Sequence, residues 1–171
     1  TSGNSNTALG VSAMQFSIGS NFNTAAGWIA LSNTKGDGNS SFGSFSMFTN
    51  TTGTYNTAAG HSALYYNTTG AQNTAIGYLS LYSNTTGYSN IAIGNSALKI
   101  NTTRHNIVAV GDSTLFYNGF GATLAIHGTL NTALGSKALF ANTTGYYNTA
   151  IGFESLKNNT TGYYNTTLGT Q

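Results

Sequence analysis

A glycine recurs along this chain at positions 10, 27, 43, 60, 77, 94, 111, 135, 152 and 169. Seven of the nine intervals are 17 residues, one is 16 and one is 24. A short fixed period leaves each copy too small to bury its own apolar face, so the copies must stack on one another. The 171 residues therefore read as a single repeat domain, 1–171, presenting a long surface in place of a pocket.

The columns of the repeat, counted from this glycine, say what kind of solenoid it is. The residue before the glycine is apolar in all ten copies, and the residue three before it is Thr, Ser, Ile or Val. These two positions share a parity and so lie on one side of a strand. The residue between them is uniformly small (Ala25, Ser41, Ala58, Ala75, for example). This predicts a small-residue outer face against which another surface packs. Four residues after the glycine every copy long enough has Leu or Met, from Met14 to Leu156. A second short strand is predicted there, its side chains stacking into an apolar column worth roughly 1.5–3 kcal/mol per residue.

Asn-Thr-Thr-Gly occurs at 50–53, 67–70, 84–87, 142–145 and 159–162, with Asn101-Thr102-Thr103-Arg104 as a variant. It predicts a corner that uses the positive φ tolerated by Asn and Gly. Asn also stands four residues before the glycine in nine of ten copies, a spacing that predicts a ladder of stacked amides. Two glycines per copy, frequent Thr and a period well below the ~33 residues of helical repeats exclude a helix-pair array. The fold class is all-β: a parallel β-solenoid of about ten 17-residue coils with two short strands each, on the order of 50 Å long.

Composition narrows the function. Charged residues are 5% of the chain, against about 25% in ordinary domains. The five basic residues are scattered and the net charge is only +2, so nucleic acid is not an expected partner. A hydrophobic fraction of 39%, with its apolar positions in register, argues against disorder. Cysteine and proline are absent, so stability must come from stacking, and the backbone is free to form ladders throughout. No apolar run approaches the ~20 residues that cross a bilayer, and no signal peptide is present, so any membrane attachment is expected to lie outside this chain.

Chemistry needs converging titratable groups. The only acids are Asp37, Asp112 and Glu154. Asp112 and Glu154 stand two coils apart, on the order of 10 Å, at or beyond the outer end of the ~6.5–9.5 Å separation of an inverting glycosidase. His61, His105 and His127 occupy three different columns and offer no stacked metal set. No nucleophile elbow or phosphate loop is present. The expectation is a protein without catalytic, cofactor or metal residues.

Two features remain as candidate sites. The one long step of the period carries an insertion around 118–124, where Phe116, Tyr117, Phe120 and His127 are expected to gather as contacts for a sugar or protein ligand. A tolerated bulge is the simpler reading. Nine Asn-x-Ser/Thr sequons occur, at Asn39, Asn50, Asn67, Asn84, Asn101, Asn142, Asn158, Asn159 and Asn165. They read either as N-glycan acceptors or, more simply, as repeated turn chemistry. The tyrosine pairs 65–66, 146–147 and 163–164 read as stacked columns in preference to a carbohydrate cleft. Regular threonines also raise an ice-binding reading, ranked low because most are expected in corners or alternating inward.

Ser89-Asn90-Ile91-Ala92-Ile93-Gly94 and Asn106-Ile107-Val108-Ala109-Val110-Gly111 resemble the head-domain motif of trimeric autotransporter adhesins. The commoner form, Asn-Thr-Ala-Ile-Gly followed by Ala-Leu and Asn-Thr-Thr-Gly, is similar to repeats of bacterial and phage tail-fibre-like surface proteins. The resemblance implies a left-handed β-roll, three chains side by side, and an extracellular adhesive or fibre segment on a cell surface or virion. The 17-residue period departs from the roughly 14 of those heads, and no heptad stalk or membrane anchor is present, so trimerisation would rest on the small-residue face alone. The expected partner is the chain itself, as a trimer or as a head-to-tail filament, with a host-surface protein or carbohydrate as a further candidate. The tenth glycine stands two residues from the last residue, which leaves a partial coil, and the chain is expected to be either a segment of a longer fibre or a subunit joined end to end.

Overall fold

The computed structural model describes residues 3–170. Among them are ten three-residue strands, one per coil: β1 (Thr7–Leu9), β2 (Thr24–Ala26), β3 (Ser40–Phe42), β4 (Thr57–Ala59), β5 (Thr74–Ile76), β6 (Ile91–Ile93), β7 (Val108–Val110), β8 (Thr132–Leu134), β9 (Thr149–Ile151) and β10 (Thr166–Leu168). They form one parallel sheet in sequential order. The register repeats without slip: Thr57 faces Thr74 and Ala58 faces Ala75, as Thr74 faces Ile91 and Ala75 faces Ala92. The chain is a parallel β-solenoid, and the 24-residue step does not disturb the pairing of β7 with β8.

The second predicted strand is absent. The Leu/Met column lies in turn backbone, with φ between 48° and 54° at Met14, Leu31, Met47, Leu64, Leu81, Leu98, Leu115, Leu139 and Leu156. Two further columns have the same left-handed conformation, one five residues before the glycine (Phe22, Tyr55, Gln72) and one two residues after it (Ile29, Phe45, Leu79). Each such residue is disfavoured by roughly 1–2 kcal/mol, so three per coil are tolerated only where neighbouring coils hold the backbone. They do: Leu64 N–H donates to Ser80 O at 3.0 Å and Leu81 N–H to Ala97 O at 2.9 Å. Axial hydrogen bonds persist through the corners, but successive left-handed residues prevent the extended geometry of a strand.

The parity of the strand columns is as predicted, and the faces are reversed. The small central residue points inward: Ala25, Ala58, Ala75, Ala92, Ala109, Ala133 and Ala150 are fully buried. Its flanking residues point outward, leaving Phe42, Ile76, Ile93, Leu134 and Ile151 between 38% and 44% exposed apart from Ile93 at 36%. The reason is the narrowness of the coil. In most coils the strand alanine, a second Ala or Ser and one Leu or Met share the interior with two asparagines, so the strand position has room only for a small side chain. Where Ser41 replaces the alanine, its hydroxyl pairs with that of Ser46, and Thr167 pairs likewise with Ser155 at 2.6 Å. The strand threonines accordingly face outward, contrary to the expectation that threonines outside the corners alternate inward.

The asparagine ladder forms, and a second accompanies it. In the first, Asn39, Asn56, Asn73 and Asn90 each donate their side-chain amide to the Oδ1 of the preceding rung at 3.1–3.2 Å. In the second, the asparagines of Asn-Thr-Thr-Gly do the same, Asn67 to Asn50 at 2.6 Å and Asn84 to Asn67 at 2.8 Å. The turn itself works differently from the prediction. Neither its Asn nor its Gly has positive φ. The glycine is required for space, because a Cβ at Gly70 would overlap the Asn67 side chain and the Gly87 carbonyl.

Candidate functional site

Among the described residues no cavity opens on the rod and no three metal-ligating side chains come together. No helix there is long and apolar enough to cross a membrane. Asp112 is exposed, whereas Glu154 accepts from Lys157 Nζ at 2.8 Å, and Asp37 accepts the Asn21 amide at 2.7 Å. His105 stacks on Tyr88 with centroids 4.5 Å apart, and His61 lies against Phe45 and Tyr78.

The insertion brings only part of its expected cluster together. Phe116 and Tyr117 pack on Phe140 at 5.5 and 5.4 Å, with Lys99 Nζ 5.5 Å from the Phe116 ring. Phe120 makes no ring contact with them and is 62% exposed, and His127 is turned to its own loop, its Nδ1 accepting the Leu124 amide at 3.4 Å. What organises this loop is Arg104, the residue that replaces glycine in the variant turn. Its guanidinium donates to the carbonyls of Leu124, Ala125 and Ala122 at 2.9, 3.2 and 3.2 Å. Removing it as Arg104→Ala is expected to loosen the loop by about 2 kcal/mol, on the scale of hydrogen bonds from a charged donor. Hydrogen exchange would then accelerate over 119–128 alone, with the flanking coils unchanged.

The sequons separate into two sets. Asn39, Asn50, Asn67, Asn84, Asn101 and Asn142 are fully buried, and each amide nitrogen is a donor within a ladder. A glycan on that nitrogen and this packing exclude each other. Asn158 is exposed, while Asn159 and Asn165 are half-buried and donate to Asn142 and Asn148.

The tyrosines stack along the axis as read from the sequence. Tyr146 lies on Tyr163 and Tyr147 on Tyr164, both pairs 5.0 Å apart and within 7° of parallel. Tyr65, Tyr66 and Tyr82 form a tighter group, with centroids 4.7–5.3 Å apart. Burial, and next the Tyr66 hydroxyl, push the Tyr82 phenol up to about 12.

The largest feature is one the sequence reading placed inside. The outer face of the sheet is a strip ten strands long, with Thr, Ser, Ile or Val in one column and Leu, Ala, Phe, Ile or Val in the other. Trp28, Tyr78 and Phe153 border it on one side, in a column that also holds His61 and Asp112, and Phe22, Tyr55, Tyr147 and Tyr164 on the other, all exposed. No charged side chain stands on the strands. The available signal was the size of the column: a narrow coil places its smallest residues inside.

Family models, curated proteins and solved structures hold no match to this chain. The strip on the sheet face is therefore the feature on which a functional reading rests.

Proposed function

We propose that the chain is a rigid segment of an extracellular fibre, assembling side by side with copies of itself through the outer face of its sheet and meeting other surfaces along its length. The observation that carries this is the outer sheet face, ten strands long with no charged side chain on the strands, where exposed Ile, Leu and Phe stand beside a rank of Thr, Ser, Ile and Val. Solvated monomers seldom expose contiguous apolar patches of more than a few hundred Å². Nine strand spacings of ~4.8 Å give a strip roughly 43 Å long. At ~3.3 Å per residue the three-residue strands are about 10 Å broad, so the strip offers on the order of 400 Å² per copy, which the bordering aromatic side chains extend toward the ~800 Å² per partner of a standard interface. Flat parallel sheets that pack face to face interdigitate such side chains at a separation of about 10 Å.

The resemblance to trimeric adhesin heads and tail-fibre repeats supports a trimer of parallel rods at a cell or virion surface. The same strip argues against ice binding. Its threonine rank is broken by Ser40, Ile91 and Val108, and the neighbouring column varies from Ala26 to Phe42, which suits interlocking with protein more than a regular lattice of hydroxyls.

Sedimentation equilibrium tests the assembly. The native chain is expected to sediment as a closed oligomer of defined mass, and Ile93→Glu, which sets a carboxylate at the centre of the strip, to give folded monomers. Phe120→Glu, away from the strip, is expected to leave the oligomer intact. A native chain that stays monomeric at high concentration, or an oligomer indifferent to Ile93→Glu, would remove this reading.

A further inference from the structure

Seven of the eleven tyrosines lie in two ring clusters, one of Tyr65, Tyr66 and Tyr82 and one of Tyr146, Tyr147, Tyr163 and Tyr164. The clusters differ in geometry. In the second, two inter-coil pairs lie flat on one another, and the third, Tyr146 with Tyr164, meets edge to face at the longer distance of 5.9 Å. In the first, Tyr66 and Tyr82 belong to adjacent coils and meet edge to face, with centroids 5.1 Å apart and planes at 78°. Their backbones are tied by the Tyr66 N–H to Tyr82 O bond at 3.1 Å, so the pair has little freedom to separate.

We propose that Tyr66 and Tyr82 are a site of oxidative coupling, joined as dityrosine by a one-electron oxidant of the haem-peroxidase class acting with hydrogen peroxide. The oxidant removes one electron and the phenolic proton from each ring in turn. The two phenoxyl radicals then form one carbon–carbon bond between the positions ortho to their oxygens. The two ortho hydrogens move to the oxygens and restore both phenols, so the protein loses two hydrogens in all and one peroxide becomes two waters. Two further features favour this pair. Tyr66 is 45% exposed and therefore open to an oxidant, whereas Tyr82 sits deeper beside it. Tyr65 contacts both rings, at 4.7 and 5.3 Å, so a radical formed on any of the three has neighbours to exchange with. In a chain without cysteine, the product is a covalent staple between coils 4 and 5, which a disulfide cannot supply here.

The site stands independently of any assembly through the sheet face, since both residues belong to one chain. Treating the folded protein with horseradish peroxidase and hydrogen peroxide tests it. The expected products are the blue emission of dityrosine, a monomer lighter by two hydrogens, and a cross-linked peptide containing residues 66 and 82. Tyr66→Phe removes the hydroxyl and keeps the ring, and it is expected to abolish that product; Tyr88→Phe is expected to retain it. Denaturing the chain before oxidation is expected to lower the yield at least tenfold. A link mapped to the C-terminal cluster, a doubled mass without the intrachain product, an undiminished yield in Tyr66→Phe, or equal yields from folded and denatured chain would each overturn the proposal.

Discussion

Gly77→Ala is expected to lower the stability of the central coils by about 3–5 kcal/mol, combining backbone strain with overpacking. The residue has φ of 126°, outside the range an L-amino acid adopts readily, and a Cβ there would stand 2.5 Å from the carbonyl oxygen of Gly94. Neither neighbour can yield, because Gly94 N–H is itself bonded to Ile76 O at 2.8 Å and the column continues through Gly111. In a solenoid each coil touches only the coils beside it, so the damage should be local at first and then divide the rod. Denaturant unfolding followed by circular dichroism is expected to show an early transition, with hydrogen exchange fastest around β5 and β6. Gly121→Ala is the control: it too has positive φ, 67°, but nothing within 4 Å of the added Cβ, and a loss of only about 1–2 kcal/mol is expected. Equal effects of the two substitutions would mean that conformational strain alone, not coil spacing, requires the glycine.

Asn73→Asp is the second substitution expected to be severe. The Asn73 amide nitrogen donates to Asn56 Oδ1 at 3.1 Å and to Gly87 O at 2.8 Å, while its Oδ1 accepts both the backbone and the side-chain N–H of Asn90 at 3.1 Å. The side chain is 1% exposed. A carboxylate in its place keeps the accepting side but sets a buried charge against two acceptors, with no cation near. The expected loss is on the order of 3–5 kcal/mol at neutral pH, as for an uncompensated buried charge. Burial disfavours the ionised form, so the folded pKa of the new Asp is raised above its unfolded value. The penalty is then smallest below the unfolded pKa and grows as pH rises through it, so the variant should regain stability in acid, whereas Asn73→Ile should not respond to pH. Unfolding midpoints across that range distinguish the two. The chain already carries one such apolar rung: at Ile107 the backbone N–H still finds Asn90 Oδ1 at 3.2 Å, and Asn131 turns to Asn118 Oδ1 at 3.3 Å.

These two residues also mark what can be read without coordinates. The period that contains Gly77 made stacking unavoidable, and the column that contains Asn73 predicted an amide ladder, because in-register copies place identical side chains one strand spacing apart. The second ladder was hidden by an equally good local explanation. Asn67, Thr68, Thr69 and Gly70 look like a turn chosen for its backbone, whereas the turn glycine answers to the packing of its neighbours and the Asn amide to the axial ladder. The same local logic produced the sequons, six of which are interior donors.

By itself, the sequence determined the parallel stacking, the register, the apolar Leu/Met column and the place of the one long insertion, since each follows from periodicity along the chain. Only the tertiary structure decided which way each column points. Alternation says that Ala75 and Ile76 face opposite sides, but the width of the coil says which side is inside, and that width is set by left-handed corners at residues such as Leu79 and Leu81 that no local propensity announces. With the isoleucines outside, the small-residue face expected from Ala75 and its neighbours becomes interior, and a strip of threonine and larger apolar side chains takes its place on the surface.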